Sequence, residues 1–354
     1  MLFYKNIIQF SLEFVNRLKY NIGKGCKIEY LGMAMNYCIG VDLGGTNISA
    51  GIVDLDTKQI VKKASIKTNA PRSCEDISKD IVDLCKRICS QAGISIRSMK
   101  WIGVASPGIV KSGVVTGASN LGWKDARLAE TISRLSGVDS FAANDANAAA
   151  YAEAVWGVGK DSDSLVAITI GTGVGGGVVL NGKIWEGING FAAEIGHIVV
   201  DIEGRACPCG KRGCLEAYSS ATAIISESRR FMKLYPESIM WDMCDGDINR
   251  VNGATAFKAK TRGDVAASLV IDDFTKYLAM GVSNVINIFQ PDIVCIGGGI
   301  SAESEHFIDS LRTNVERLSF GVKGKRTRVE IAHFLNDAGI IGGALLGLQG
   351  GTYA

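Results

Sequence analysis

A surplus of either charge is missing from this chain: 38 Lys and Arg stand against 36 Asp and Glu, a net +2 over 354 residues. A field that weak neither draws a nucleic-acid backbone nor holds an anionic membrane surface, so neither partner is expected. Long apolar runs are missing too. The longest uncharged stretch, Leu165 to Leu180, is interrupted by five glycines and does not read as a membrane span. The opening residues lack the basic start, apolar run and small-residue cleavage site of a signal peptide, so a secretory signal is not expected. Proline is scarce, five residues against 43 glycines. That balance points to tight turns and close backbone approaches, as in an α/β protein with phosphate-binding loops. What is present, 47% hydrophobic and 21% charged residues, fits an ordinary globular enzyme. Its length exceeds one typical core, so two domains or lobes are expected.

Ten cysteines fall into distinct settings. Cys38, Cys85, Cys89 and Cys295 sit in apolar stretches, where a free thiol behaves as a small hydrophobe. A cytoplasmic protein with reduced thiols is the expectation. A different setting is Glu194-Ile195-Gly196-His197 followed by Cys207-Pro208-Cys209-Gly210-Lys211-Arg212-Gly213-Cys214-Leu215-Glu216. One His and three Cys at short separations are the donor set of a structural zinc site. The bland alternative is a pair of buried thiols beside a core histidine, but the surrounding glycines suit a chelating loop better than a packed strand. Four protein ligands leave no open position for an activated water, so the Zn²⁺ is assigned a structural role.

Residues 1–35 mix apolar and basic residues without caps or period. They are expected to be a mis-assigned start or a loosely attached extension, because Met35-Asn36-Tyr37-Cys38-Ile39-Gly40-Val41-Asp42 reads as a natural start running into a first strand. That strand meets Leu43-Gly44-Gly45-Thr46-Asn47, and Ile48 to Asp54 and Ile60 to Ser65 follow as strands. Ile77, Ile81, Leu84, Cys85 and Ile88 recur at helical spacing within Glu75 to Ala92. Trp101 to Ala105 and Ser140 to Ala143 read as further strands, and Ala146 to Trp156 as a helix, which Asp145 could cap. The second half repeats the grammar: Leu165 to Ile170, a loop Gly171 to Gly177, then Val178 to Leu180 as a strand. Strand, glycine hairpin, strand thus occurs twice, roughly 125 residues apart, which suggests a duplicated α/β lobe. Ile271 to Phe289 reads as a helix and Ile293 to Ile296 as a strand. Gly297-Gly298-Gly299 is expected to open one helix through Val315, and Gly342-Gly343-Ala344 to lie in a closing helix packed on the first lobe.

Gly171-x-Gly173-x-x-Gly176 matches the dinucleotide fingerprint in letters only. That motif needs a helix N-terminus facing the pyrophosphate, and here a strand follows. Gly297-x-Gly299-x-x-Ala302 does follow a strand, but alone it is weak evidence, and no P-loop is present. Glycine hairpins can bind phosphate without a helix, because bare backbone N–H groups approach the oxygens closely and Thr46 and Thr172 add hydroxyls. Two such hairpins, each with Gly-Thr at the matching place, could clamp one nucleotide across a cleft.

Asp42-Leu43-Gly44-Gly45-Thr46-Asn47, Ile170 to Gly177 and the His197/Cys207/Cys209/Cys214 cluster together resemble the ROK family of bacterial sugar kinases and sugar-sensing repressors, over about residues 36 to 349. The resemblance implies an actin-like, hexokinase-type ATPase fold of two duplicated lobes. The lobes would be 36–148, completed by 336–354, and 149–335 carrying the zinc loop. It implies transfer of the γ-phosphoryl of ATP to the 6-hydroxyl of glucose, in carbohydrate metabolism and glycolysis. Asn144-Asp145-Ala146-Asn147 is similar to the family's catalytic segment, making Asp145 the general base. Ser119-Asn120-Leu121-Gly122-Trp123 is similar to its sugar-contact segment, and Asn120, Asn144, Asp145, Glu194, His197 and Glu216 are the implied sugar ligands. If Glu194 and His197 share a helical turn, their side chains lie on one face. Asp42 is implied to hold Mg²⁺ through water. Gly44, Gly45, Thr46, Asn47, Gly171, Thr172 and Gly173 would lie at the phosphates, Gly298 and Gly299 near the adenosine. A homodimer is implied as well. N-acetylmannosamine, N-acetylglucosamine, allose or fructose remain possible acceptors, since Leu121-Gly122-Trp123 does not decide among them. The family's repressors carry a winged helix-turn-helix module ahead of the kinase-like part. About 34 residues precede the first strand, too few for that module, so a kinase is expected rather than a repressor.

Overall fold

Strand β1 (Tyr37–Leu43) is apolar on both faces and almost wholly buried, as suits the middle of a covered sheet. It pairs antiparallel with β2 (Asn47–Asp54), which pairs antiparallel with β3 (Gln59–Lys67). β3 is the sheet edge and carries exposed Lys62, Lys63 and Lys67, charges that discourage pairing with another chain. On the other side of β1, β4 (Ile102–Ser106) and β8 (Ser140–Asn144) run parallel to it, giving the order β3-β2-β1-β4-β8. These strands belong to a computed structural model that describes residues 36–321 and 326–349. The expectation for residues 1–35, and the last residues of the 336–354 segment, lie outside the described residues.

The same order recurs in the second half. Strand β9 (Ser164–Ile170) takes the place of β1. It is flanked by antiparallel β10 (Val174–Leu180) and β11 (Lys183–Ile184) on one side, and by parallel β12 (Ile293–Gly297) and β13 (Arg328–Ile331) on the other. The duplication expected from the two glycine hairpins is therefore present strand for strand. A separate three-stranded antiparallel sheet, β5 (Ile109–Lys111), β6 (Val114–Ala118) and β7 (Trp123–Ala126), is inserted between β4 and β8.

Helix α1 (Cys74–Gln91) opens on Ser73, whose hydroxyl accepts from Asp76 N–H, and buries Ile77, Ile81, Leu84, Cys85 and Ile88 as the spacing predicts. Together with α2 (Leu128–Ser136) it covers the first sheet. In the second half α4 (Ala221–Leu234), α5 (Val265–Phe289) and α6 (Ile308–Leu318) build the larger core around Phe257, Phe274 and Phe307. Helix α3 (Asp145–Val155) and α7 (Ala338–Leu345) pack on each other, with α7 also against β1 and β4 and α3 against β9 and β10. Glycines make this possible. A Cβ at Gly40 would lie 1.8 Å from Ile340 O, one at Gly103 1.9 Å from Gly343 O, and one at Gly342 2.1 Å from Ala148 O. Backbone meets backbone there, and no side chain fits.

The closing helix packs on the first sheet, as expected, and on α3 as well. Other expectations need correction. Gly175, Gly176 and Gly177 are not loop: they lie inside β10, where small residues admit Ala146 and Ala150 of α3 at Gly177 and Ile195 at Gly176. α5 begins at Val265 rather than Ile271, capped by Asp264. The single helix expected from Gly297 to Val315 is a 3-10 stretch, Gly299–His306, kinked at Glu303, followed by α6. Cys38, Cys85, Cys89 and Cys295 are buried free thiols, as expected. Among the described residues no helix is long and apolar enough to cross a membrane.

Candidate active site

Strand β8 delivers Asn144 and Asp145 to the start of α3. The capping residue is Asn144, not Asp145. Its Oδ1 accepts from Ala146 N–H at 3.0 Å and Asn147 N–H at 3.2 Å, while its amide donates to Gly108 O at 2.9 Å. Asn144 is therefore occupied mainly in holding the turn, and its side-chain amide also donates to the Asp145 carboxylate. Asp145 is the first helical residue and accepts from Ala146 N–H at 2.8 Å. Solvent reaches it, yet the protein packed around it displaces enough water to raise its pKa, Glu194 adding repulsion and the N–H bonds opposing. At the end of β1, Asp42 is pushed up to about 6 by burial first and by the Asp145 charge second. The burial has a visible source: α7 approaches so closely that a Cβ on Gly339 would stand 2.6 Å from Asp42 Cγ. Asp145 thus adds to the raised pKa of Asp42, and the Glu194 charge adds to that of Asp145.

The first glycine turn closes through Gly44 N–H to Asn47 O at 2.9 Å. Buried Thr68 braces it, donating from its N–H to Thr46 O at 2.9 Å and from its hydroxyl to Gly44 O at 2.7 Å. Thr46 and Asn47 are left exposed. Asn120 abuts this turn, its amide nitrogen 3.5 Å from where a Gly45 Cβ would be. The second hairpin closes through Gly171 N–H to Gly173 O at 2.9 Å and leaves Thr172 exposed. Gly298, at φ 83°, turns against the backbone of Ile170, so Gly298 and Gly299 stand beside that hairpin.

His197 ends a 3-10 turn, Ile195–His197, with its N–H bonded to Glu194 O at 3.0 Å. Glu194 is the non-helical residue before that turn, at φ −71° and ψ 57°, so the regular helical turn that would set its side chain over His197 is not formed. Cys207, Cys209, Cys214 and His197 converge, with all four donor atoms within 4.8 Å of one another. Cys209 Sγ is 3.6 Å from Cys214 Sγ, and Cys207 Sγ is 3.8 Å from His197 Nδ1. Tetrahedral zinc with Zn–S bonds of about 2.3 Å separates its sulfurs by about 3.8 Å, so this quartet fits the ion. Glu216 lies next to it, one carboxylate oxygen accepting from Val174 N–H at 2.9 Å.

The sequence reading missed Thr68, the capping role of Asn144, and Thr222, whose hydroxyl donates to Thr172 O at 2.7 Å. It also missed Lys111, which links β5 to Glu186 at 3.2 Å. Thr68, Thr222 and Lys111 act on partners distant in the chain, which no local pattern marks, whereas the Asn144 cap acts on its near neighbours. A groove of about 830 Å³ along α6 and β13 contains none of the expected site residues.

The chain is similar to known proteins over most of its length. The chain is 36% identical over 309 residues to a glucokinase of Thermotoga maritima, covering 86% of this chain and 95% of that one. It is 29% identical over 282 residues to a xylose repressor of Bacillus subtilis, covering 79% of this chain and 68% of the repressor. The fold superposes with TM-score 0.74 and 31% identity on the crystal structure of a ROK family glucokinase from Streptomyces griseus in complex with glucose and AMPPNP, covering 89% of this chain and all of that one. The two repeated sheets are thus the duplicated lobes of the actin-like ATPase fold. The sequence profile of the ROK family matches residues 38–349, and the chain belongs to that family.

Proposed function

We propose that this protein is an ATP-dependent hexose kinase that phosphorylates the 6-hydroxyl of glucose. The observation that carries the reading is the meeting of Asp145 and Asp42 at the end of β1, where the first glycine turn begins, with Asn120 against that turn. Asp145 is the general base. Its raised pKa makes it a better proton acceptor than an ordinary carboxylate, and it takes the proton of the sugar hydroxyl as that oxygen attacks the γ-phosphorus. Asn120, Asn144, Glu194, His197 and Glu216 bind the sugar, each ring hydroxyl needing a partner once desolvated. His197 offers Nδ1 to the metal quartet and keeps Nε2 for the sugar. The turns at Gly44, Gly45, Thr46 and Asn47 and at Gly171, Thr172 and Gly173 hold the phosphates, with Gly298 and Gly299 toward the adenosine. Asp42 would help hold Mg²⁺ at the ATP phosphates, where the ion would supply positive charge against that developing in phosphoryl transfer. Zn²⁺ in the His197/Cys207/Cys209/Cys214 quartet has a structural part. We assign the lobes as 36–148 completed by 336–354, and 149–335, in a cytoplasmic homodimer; sedimentation tests the dimer.

A coupled ADP-release assay over a panel of hexoses and N-acetylhexosamines tests the reaction. Highest kcat/KM on glucose is expected; a preference for an N-acetylhexosamine would reassign the acceptor, and no ADP release with any sugar would refute the kinase. Asp145→Asn should lower turnover at least ~10²-fold with glucose still bound. Near-normal turnover would remove Asp145 from its role.

A further inference from the structure

Val174, the first residue beyond the 171–173 hairpin, is gripped from both halves of the Cys/His cluster. Its N–H donates to one oxygen of Glu216 at 2.9 Å, and the other oxygen of that carboxylate lies 3.8 Å from Cys207 Sγ. From the opposite side Gly196, adjacent to His197, presses on the Val174 carbonyl, where a Cβ would stand 2.1 Å from the oxygen. Two further bonds fasten the hairpin itself. Ala221 N–H donates to Gly171 O at 2.9 Å, and the Thr222 hydroxyl to Thr172 O at 2.7 Å. Both donors sit in the first turn of α4, where backbone N–H groups have no partner inside the helix.

These bonds fix something a glycine loop cannot fix for itself. In a trans peptide the carbonyl and the following N–H point in opposite directions. With the Gly171 and Thr172 carbonyls turned onto α4, the N–H groups of Thr172 and Gly173 are aimed away from it. Glycine-rich backbone is otherwise free to rotate its peptide planes, at an entropic cost whenever they must be ordered.

We propose that Thr222 and Glu216 are positioning residues that set the peptide orientation of the 171–173 hairpin, and that the metal quartet is coupled through Glu216 to nucleotide binding as well as to the sugar pocket. This rests on reading the hairpin as a phosphate loop. The test is calorimetric binding of Mg-AMPPNP without sugar, to zinc-loaded wild type, zinc-stripped wild type, Thr222→Val and Thr222→Ser. Glucose binding is measured separately on the same samples. Thr222 is exposed, so its loss leaves the core intact. Thr222→Val should weaken AMPPNP binding about three- to tenfold, the worth of one hydrogen bond. Glucose affinity should be unchanged in that variant, and Thr222→Ser should restore the nucleotide. Stripping zinc should weaken AMPPNP binding with no sugar present. Unchanged nucleotide affinity in Thr222→Val, or an equal loss of glucose binding, overturns the positioning role. Equal AMPPNP affinity with and without zinc overturns the coupling. If zinc-loaded wild type binds no AMPPNP, the failure belongs to the phosphate-loop reading instead.

Discussion

Asp42 and Asp145 repel each other in a groove that α7 partly dries, and the fold tolerates this strain at the place where catalysis needs it. The folded pKa of Asp42, about 6, lies above its ordinary 3.8, so this group favours the folded state in its protonated form. That contribution is complete below about pH 4 and is lost as pH rises through about 6. Asp42→Asn, studied without magnesium, should therefore raise the melting temperature near neutral pH, with the gain fading toward pH 4. A pH-independent shift in melting temperature would contradict the assignment. At this scale the sequence was most legible where chemistry is written in contiguous letters: the Asp-Leu-Gly-Gly-Thr-Asn turn, the Asn-Asp pair, the Cys/His spacing. It was silent on Thr68, which secures a turn 24 residues away. It pointed to Glu216 as a sugar ligand but not to the bond its carboxylate makes with a backbone N–H 42 residues away. Such partnerships exist only after folding.

Elements were legible where periodicity is strong. The stripe from Ile77 to Ile88 marks α1 because a buried face repeats every three to four residues. Glycine misled in two ways. In β10, Gly175 to Gly177 are strand residues kept small by the helix above them, so a run that reads as loop is packed sheet. After β12, the chain at Gly299 lacks a side-chain cap and passes through a 3-10 stretch before α6 can form. The α3–α7 contact makes a testable case of the same physics. Gly342→Ala would place a Cβ 2.1 Å from Ala148 O, and overpacking of this kind should cost about 1–3 kcal/mol in denaturant unfolding. Gly321→Ala, with nothing within 4 Å, should change little. Equal stability of the two variants would show that the helices part easily.

For the whole molecule, the doubled strand order followed from hearing strand, glycine hairpin, strand twice, since each repeat must bury its own sheet. The inserted sheet β5–β7 did not announce itself, because three short strands with mixed burial carry little periodic signal. The metal quartet joins two segments that place Ile195 and Leu215 in the larger core, so loss of the ion would be felt in that core. Cys209→Ser should lose zinc, measured by metal analysis, and weaken glucose binding about tenfold or more; full zinc content would show that the quartet is not the site. The last helix has a temporal consequence. Residues 338–345 cover Gly40 and Gly103 of the first sheet, yet they are synthesised only after the whole second sheet. At synthesis rates of about 5–20 residues per second, the nascent first lobe waits tens of seconds with one face bare. A message truncated before that point would yield a chain unable to seal its opening sheet, and a client for chaperones rather than an enzyme.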